Sequence, residues 1–553
     1  MKERVEHLII GAGFGGLCTA IKLQEDGERD FLVIEKAADV GGTWRDNTYP
    51  GAACDVPSQL YSLSFAPNPD WSMSFSPQPE IQAYLKRVAD ESGTLDRFVF
   101  DTLVESAQWD DQAYEWVVET SRGTVRANTL ISAAGGLSEP RLPDIEGLGE
   151  FEGAIFHSAR WDHGVDLTGK RIAVIGTGAS AIQIVPELQK VAAHLDVYQR
   201  SAPYVMPRND RAYSKAERFL FRHVPAVRKA YRAGIYWGRE CYVPGFAINP
   251  KLAAPAKKMA LKNLTDHVSD PDLVRRLTPS YDIGCKRILI SNTYFPAIAA
   301  PNVDLVTDRI ARVTATGIAT TEGTQRPVDV IVVATGFHTT DLPIAERLTG
   351  RTGQTLAQTW QASGMQAYKG TTVRGFPNLF FIVGPNTGLG HSSMVHIIES
   401  QVAYIRECVG AMRRNRYAAI EPTEQAVDAW NGDVQKRLTK SVWNTGGCSS
   451  WYLDEHGKNT VLWPRTTFKF RSLLAHWDPE AYEVSAAPVV EERPARQPVV
   501  EEGTARQPVV EEGTARQPVV EEGTARQPVV EEGTARHPVV EEGAARLETT
   551  EPR

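Results

Sequence analysis

The sequence lacks the features that mark membrane, secreted and metal-binding proteins. No uninterrupted apolar run in its 553 residues approaches the roughly 20 residues that a membrane-spanning helix needs. An apolar segment at residues 7–10 begins close to Met1, so we expect no signal peptide. The six cysteines have neither C-x-x-C pairs nor the spacing of metal ligands. We therefore expect free thiols, no metal site and a cytoplasmic location.

Charge of one sign is also scarce over most of the chain. The net charge is −8, but residues 488–553 contain 14 Glu and 8 Arg and so contribute −6. The other 487 residues therefore carry only −2. A near-neutral body gives no electrostatic reason to expect nucleic acid or a membrane surface as a partner.

What the sequence does contain is two glycine-rich turns typical of dinucleotide binding. The first follows an apolar strand at residues 8–10 and has the pattern G-x-G-x-x-G. The three glycines of the pattern are Gly11, Gly13 and Gly16, and its one bulky residue is Phe14. A second strand, residues 31–34, ends in Glu35, whose carboxylate suits the two hydroxyls of an adenosine ribose. Strand, turn, helix, strand and acid in this order predict an FAD or NAD site.

The second turn follows the apolar residues 171–175 and contains Gly176 and Gly178. Glu35 comes 24 residues after the first glycine of the first turn, and the same interval in the second unit ends at Arg200. A guanidinium cannot accept protons from ribose hydroxyls, but it pairs bidentately with a 2′-phosphate. The second unit therefore predicts an NADP site.

Two dinucleotide sites in one chain indicate that electrons pass from NADPH to a flavin. A disulfide reductase would need a pair of cysteines soon after the first unit. That region has only Cys54, and Trp44 stands where a redox thiol would be expected. The sequence therefore favours reaction of the reduced flavin with oxygen.

The chain order predicts an α/β fold with two Rossmann-like dinucleotide-binding domains, for FAD and NADP. Residues 211–281 are rich in Ala, Arg, Lys and Leu at helical spacing, which indicates an inserted helical subdomain with a solvated basic face. The C-terminal ten-residue repeats have too few apolar residues to offset the entropy of ordering, so we expect a disordered tail. The expected segments are the first part of the FAD domain (1–150), the linker motif with the first part of the NADP domain (151–208), the helical insertion (209–281), the second parts of the NADP (282–374) and FAD (375–487) domains, and the repeats (488–553).

Residues 151–162, called the fingerprint below, have the pattern F-x-G-x-x-x-H-x-x-x-W-D, which is much rarer than a glycine-rich turn. The fixed positions are Phe151, Gly153, His157, Trp161 and Asp162. The fingerprint lies between the two turns, and we expect it to be a linker that belongs to neither and couples their motions. His157 is accordingly expected to act in domain coupling rather than in chemistry.

Together these motifs resemble the type I Baeyer–Villiger monooxygenases, a group of class B flavoprotein monooxygenases, over roughly residues 5–485. Related N- and S-oxygenating flavin monooxygenases usually carry Phe or Tyr followed by Pro where this chain has Trp161 and Asp162. The resemblance implies an NADPH-dependent enzyme of EC class 1.14.13 with FAD and NADP as cofactors. In that family oxygen adds at flavin C4a, and the resulting peroxide attacks a ketone to give an ester or lactone.

The resemblance also implies roles for single residues. Arg287 matches the active-site arginine that keeps the peroxide deprotonated, and Asp55 matches the carboxylate that orients it. Lys286 matches a contact to the NADP 2′-phosphate beside Arg200. Trp451 resembles a mobile-loop tryptophan that folds over the nicotinamide. The other implied FAD contacts are Gly42, Thr43, Trp44, Tyr61 and Val104, and the other implied NADP contacts are Thr177, Ser180 and Ser201.

Two alternatives to ketone oxidation stay open at this point. A heteroatom oxygenase would act on sulfides or amines with the same cofactors. A flavoprotein scaffold would use the acidic repeats as its interaction element. Ala53 also departs from the family, because several ketone-oxidising members carry a longer, often basic side chain there. The expected partners are therefore oxygen and a small-molecule ketone, with a sulfide as the alternative, and the oligomeric state is open.

Overall fold

The computed structural model describes residues 2–486, and the repeats that we expect to be disordered lie outside the described residues. The strands are β1 Arg4–Ile10, β2 Phe31–Ile34, β3 Phe98–Val99, β4 Val104–Asp110, β5 Glu115–Thr120, β6 Gly123–Ser132, β7 Ala154–His157, β8 Arg171–Ile175, β9 His194–Tyr198, β10 Val205–Met206, β11 Leu289–Ile290, β12 Val303–Val306, β13 Ile310–Thr314, β14 Gly317–Thr320, β15 Gln325–Pro327, β16 Val330–Val333, β17 Leu348–Thr349, β18 Leu379–Phe381, β19 Tyr417–Pro422 and β20 Tyr482–Ala486. The α-helices are α1 Phe14–Glu25, α2 Thr43–Asp46, α3 Gln78–Ser92, α4 Ala181–Gln189, α5 Lys215–His223, α6 Pro225–Glu240, α7 Ala254–His267, α8 Pro271–Leu277, α9 Tyr294–Ile298, α10 Leu356–Ser363, α11 Met394–Asn415, α12 Glu424–Leu438, α13 Val442–Thr445 and α14 Thr467–Leu473.

The first sheet has the strand order β17-β4-β5-β6-β1-β2-β3, and β18 pairs with β6 as well. β1 runs parallel to β2 and to β6, so the carboxyl ends of these strands meet at one edge of the sheet. Gly11 follows β1 and Glu35 follows β2 at this edge. The turn, α1 and the acid are therefore arranged as the sequence predicts for a dinucleotide site.

The second sheet is entirely parallel, with the order β12-β9-β8-β16-β7. The second glycine turn follows β8, and Arg200 comes just after β9. Parallel strand pairs with helices between them in both sheets confirm the predicted α/β class with two Rossmann-like units, although β5 of the first sheet pairs antiparallel with β4 and β6.

The fingerprint is not a linker outside both units, as we expected, because it supplies β7, the edge strand of the second sheet. β7 pairs with β16 over four residues, from Val330 opposite Ala154 to Val333 opposite His157. Residue 153 must be a glycine, because a Cβ there would lie 2.4 Å from the carbonyl oxygen of Asp329, just before β16. Phe151 packs on the apolar cluster of this sheet.

The chain returns to the first sheet earlier than the predicted segments imply. β17 pairs with β4, although residues 348–349 fall inside the segment that we assigned to the NADP domain. The chain therefore returns to the first sheet before residue 375. The sequence does not reveal this return, because β17 has only two residues and lies in a loop-rich region. The rest of the division into segments stays a prediction.

Four helices, α5 to α8, lie between β10 and β11 and form the helical insertion. Arg232 of α6 connects it to the first unit, because its guanidinium donates to the carbonyl oxygen of Gln59 at 2.7 Å and to that of Ser62 at 3.0 Å. Lys215 and Lys229 are exposed, but Arg232 and Arg239 are half-buried, so the basic residues of the insertion do not all face solvent. Among residues 2–486, none of the helices combines the length and the apolar character needed to cross a bilayer.

Gly16→Ala should destabilise the first unit, because the added Cβ would lie 1.8 Å from the backbone oxygen of Gly11. We expect the free energy of unfolding to fall by at least about 1–3 kcal/mol, or soluble protein to be lost. Gly234→Ala is the matched control, since nothing lies within 4 Å of its Cβ and alanine favours the helix. Urea unfolding of both variants tests this, and equal stability of the two would contradict it.

Candidate functional site

The first glycine turn is arranged as a cradle for a dinucleotide. Glu35 is 4% exposed, and its carboxylate accepts hydrogen bonds from the backbone nitrogens of Ala12 at 2.8 Å and Ala37 at 3.0 Å. Arg45 lies 3.0 Å from the same carboxylate. The acid is thus fixed directly against the turn, at the position where a ribose would lie.

A second glycine loop closes on the first turn. A Cβ on Gly42 would lie 3.2 Å from the Cα of Gly13, so the two backbones approach without side chains between them. Gly13 begins α1 and Gly42 begins α2, and neither helix has a side-chain cap. The first backbone N–H groups of α1 have no acceptor within the helix and can bind phosphate oxygens, whereas Trp44 and Arg45 of α2 already donate to the carbonyls of Gly41 and Gly42.

Aromatic side chains line the neighbouring wall. Trp44, which follows Thr43 in α2, donates from its indole nitrogen to the Tyr61 hydroxyl at 3.0 Å. The rings of Phe14 and Tyr61 have centroids 5.3 Å apart. Val104, by contrast, is buried at the start of β4, in the apolar cluster that contains the last residues of β1 and β2. It therefore lies towards the Glu35 end of the cradle rather than among these rings.

The second turn gathers hydroxyls and cations. A Cβ on Gly176 would lie 2.4 Å from the carbonyl oxygen of Ala334, whereas Gly178 has open space around it. Thr177 donates from its hydroxyl to the Ser201 carbonyl at 3.2 Å, and the Lys286 ammonium donates to the Ser201 hydroxyl at 2.5 Å. Ser180, with no side-chain cap bond, begins α4.

Arg200 and Lys286 form a pair of like charges beside this turn. Burial lowers the pKa of Lys286, and the neighbouring Arg200 guanidinium lowers it further. The Arg200 side chain is exposed. Two cations that repel each other at a glycine turn are stabilised when a doubly charged phosphate binds between them.

Asp55 and Arg287 come together across 232 residues. The guanidinium donates from Nε to Oδ2 and from Nη2 to Oδ1 of the carboxylate, both at 2.8 Å, which is a bidentate pair. Burial would raise the pKa of Asp55, but Arg287 outweighs it and holds that pKa below its usual value. The same partner raises the pKa of Arg287. Among the described residues Nη1 of Arg287 has no hydrogen-bond acceptor, so this nitrogen is available to a ligand.

The free-thiol prediction is wrong for two cysteines. Cys285 and Cys448 form a disulfide, with their Cα atoms 6.1 Å apart, while the four others are free thiols. The backbone explains the contact, because the Asp282 nitrogen donates to the Gly446 carbonyl at 2.9 Å. This contact is tertiary, so the spacing of the cysteines in the sequence cannot reveal it. The bond ties the segment before Lys286 to the loop that carries Trp451.

Tyr452, in the same loop, is a candidate site residue that no pattern in the sequence indicates. Its side chain is 1% exposed, whereas the neighbouring Trp451 is 43% exposed. Burial raises the pKa of Tyr452 to about 12, and Arg287 and Asp55 are close enough to influence it. The backbone carbonyl of Trp451 accepts from the Thr339 hydroxyl at 3.3 Å, and its ring packs against that of Tyr452 with centroids 4.4 Å apart. Tyr452 is therefore buried near the ion pair, whereas much of the Trp451 side chain is exposed.

The fixed positions of the fingerprint lie in and on either side of β7, the edge strand of the second sheet. His157 is 4% exposed, and its Nδ1 accepts from the Ala159 nitrogen at 3.1 Å. Burial lowers the pKa of His157 to about 4, so it is neutral at pH 7. Trp161 packs edge-on against Phe156 at 4.9 Å, and Asp162 accepts from the backbone nitrogen of Gly164. None of these contacts is with Asp55 or Arg287.

A family model described as pyridine nucleotide-disulphide oxidoreductase matches residues 8–216. A Baeyer–Villiger monooxygenase of Streptomyces coelicolor is 50% identical over 484 residues, which cover 87% of this chain and 93% of that protein. A Baeyer–Villiger monooxygenase of Pseudomonas aeruginosa is 46% identical, with coverage of 87% and 92%.

Solved structures resemble the whole described fold. A crystal structure of cyclohexanone monooxygenase from Rhodococcus sp. Phi1 bound to NADP+ is 28% identical with a TM-score of 0.79, and covers 88% of this chain and 100% of that one. A crystal structure of OTEMO in complex with FAD and NADP is 27% identical with a TM-score of 0.78, covering 87% and 99%.

Reducing the disulfide should lower stability without unfolding the protein at room temperature. Because the bond closes a loop of 163 residues, its loss is expected to cost about 2–5 kcal/mol. Cys448→Ser should lower the melting temperature, whereas Cys241→Ser, which removes an exposed free thiol, should not. Thermal unfolding of both variants, with and without dithiothreitol, provides the comparison. If dithiothreitol leaves the melting temperature of the unmutated protein unchanged, the disulfide does not stabilise it.

Proposed function

The chain belongs to the family of Baeyer–Villiger monooxygenases, and we propose how its own residues carry out the reaction of that family. The enzyme is a flavoprotein monooxygenase that inserts an oxygen atom next to a ketone carbonyl. Ketone, O2, NADPH and a proton give ester or lactone, water and NADP+. The observation that carries the proposed roles is the bidentate Asp55–Arg287 pair in a chain with two dinucleotide turns.

FAD fits the first cradle, and when bound it accepts hydride from NADPH and activates molecular oxygen. The uncapped start of α1 and the close approach of Gly13 to Gly42 suit its pyrophosphate. Glu35 is fixed where it would accept hydrogen bonds from the ribose hydroxyls. Trp44 and Tyr61 form the wall beside the cofactor, with Phe14 behind them.

NADP fits the second turn, which also has an open glycine at the start of a helix. Gly178 leaves room for a pyrophosphate at the start of α4, and the hydroxyls of Thr177, Ser180 and Ser201 lie around it. Arg200 and Lys286 pair with the 2′-phosphate, which relieves their mutual repulsion. NADH lacks this phosphate, so the two cations select NADPH.

Arg287 holds a fixed positive charge where negative charge develops on the reacting oxygen atoms. Its raised pKa keeps it protonated at any working pH, so it stabilises that charge without donating a proton. Asp55 positions it by occupying Nε and Nη2. Tyr452 covers the pair on the loop side and excludes water.

A ketone is the proposed substrate class. A cytoplasmic location also stays a proposal, but the Cys285–Cys448 disulfide removes the argument for it from free thiols. We propose the loop of Trp451 as the element that moves over the cofactor. No contact among the described residues favours sulfide or amine oxygenation over ketone oxidation, and the scaffold alternative rests on repeats outside those residues.

Arg287→Ala should retain FAD and its reduction by NADPH but lose ester formation by about a hundredfold or more, because the fixed charge is gone. Gas chromatography of the products of cyclohexanone provides the measurement. Arg222→Ala is the matched control, since it breaks an exposed Arg–Asp pair with Asp70 that contributes little. Ester formation by the Arg287→Ala enzyme at the unmutated rate would sink the role given to Arg287.

Arg200→Gln should weaken NADPH use selectively. Loss of a charge-assisted contact to phosphate is expected to lower the ratio of kcat/KM for NADPH over NADH by about ten- to a hundredfold. Steady-state kinetics with both coenzymes measures this ratio. Lys190→Gln removes an exposed cation at the far end of α4 and should leave the ratio unaltered. An unaltered ratio in the Arg200→Gln enzyme would show that this side chain does not bind the 2′-phosphate.

A further inference from the structure

The carboxyl end of α6 is fixed against the first unit by its last residue. Glu240 is 5% exposed, and its carboxylate accepts from the Thr467 backbone nitrogen at 2.9 Å and from the Thr467 hydroxyl at 2.5 Å. His391 Nε2 lies 3.4 Å from the same carboxylate. Since these contacts come from two separate segments, the end of the helix is held in one place.

Arg239 is the residue before this anchor, near the end of α6. Its side chain is half-buried, yet among residues 2–486 it has no hydrogen-bond acceptor and no carboxylate within 4.0 Å. Arg232, two turns earlier on the same face of α6, shows the contrast, because its guanidinium is satisfied by backbone and hydroxyl oxygens. Arg239 therefore carries a charge that residues 2–486 do not neutralise by direct contact.

The helix geometry places Arg239 on the face of α6 that is turned towards the segment after Asp55, because Arg232, seven residues earlier, contacts the backbone of Gln59 and Ser62. The Arg239 charge contributes to the lowered pKa of Asp55, and burial together with the Arg287 cation lowers the pKa of Arg239 itself. Both oxygens of Asp55 are already bonded to Arg287 at 2.8 Å. Asp55 is paired with Arg287 alone, and Arg239 has no carboxylate within 4.0 Å among residues 2–486, so two guanidiniums and one carboxylate leave this region with a net positive charge.

We propose that Arg239 binds an anionic group of the substrate, so that the enzyme prefers ketones that carry a carboxylate over neutral ketones of the same skeleton. This inference rests on the proposed function. A planar guanidinium pairs bidentately with a carboxylate, and a half-buried cation without a partner gains most from such a ligand. The anchoring of Glu240 holds Arg239 in place before the substrate arrives, which reduces the entropy lost on binding.

The test compares matched pairs of ketones on the FAD-loaded enzyme with NADPH. The pairs are 4-oxocyclohexanecarboxylate with its methyl ester, and linear keto acids from 5-oxohexanoate to 9-oxodecanoate with theirs. We expect kcat/KM to favour the acid of at least one pair by about ten- to a hundredfold. Arg239→Met should abolish this preference, and Arg239→Lys should restore most of it by keeping the charge. Lys229→Met, an exposed cation on the same helix, should leave the preference intact.

A measurement without turnover separates binding from chemistry. Cyclohexanecarboxylate, which has the anion but no ketone, should raise the melting temperature of the unmutated holoenzyme saturably and should not do so for the Arg239→Met enzyme. A thermal shift that is equal in both proteins would contradict the assignment.

Four outcomes would overturn the inference. One is oxidation of neutral ketones by the unmutated enzyme with no preference for any acid, which leaves the proposed function standing. Another is an acid preference that survives Arg239→Met. A third is an equal loss of activity on acid and ester in the Arg239→Met enzyme, or a raised KM for NADPH. Either result would show that Arg239 positions Asp55 or binds the cofactor instead of the substrate. Failure of the unmutated enzyme to oxidise any ketone refutes the proposed function itself, and this inference with it.

Discussion

The ion pair between Asp55 and Arg287 is the contact on which the proposed chemistry depends. Asp55 follows the first dinucleotide unit in the chain, and Arg287 lies beyond the second turn and the helical insertion. The pair exists only when both units have folded, so it places a fixed positive charge where the two proposed cofactor sites meet. Bidentate geometry leaves the guanidinium oriented, with one nitrogen available to a ligand. A charge held in this way stabilises developing negative charge without reorganising during the reaction.

The distribution of cations gives the site its selectivity. Arg200 and Lys286 repel each other at the second turn, which suits a phosphate ligand. Asp55 is paired with Arg287, and Arg239 has no carboxylate partner among the described residues, which suits a second anion. The near-neutral charge of the body of the chain hides both clusters, because each is balanced by acids elsewhere. Net charge therefore says little about what this protein binds, whereas local pairing says a good deal.

Much of the fold was predictable because short-range spacing specifies it. The matched interval from glycine to Glu35 and to Arg200 follows from strand and helix lengths within one unit. The partnership of Asp55 with Arg287 came only from family resemblance, because no local rule links residues 232 positions apart. The disulfide, the edge strand in the fingerprint and the unpaired Arg239 all depend on tertiary contacts. Local patterns carry no information about such contacts, and the expectations of free thiols and of a linker failed for that reason.

The central claim is that Asp55 acts by holding Arg287 in position for the oxygen-dependent half of the reaction. The most direct test is stopped-flow mixing. The Asp55→Asn enzyme is first mixed anaerobically with NADPH and then with oxygen-saturated buffer that contains cyclohexanone. The account predicts flavin reduction at nearly the unmutated rate and a yield of lactone per reduced flavin at least about tenfold lower, since the neutral amide no longer fixes the guanidinium. A full yield of lactone from the Asp55→Asn enzyme would contradict the account.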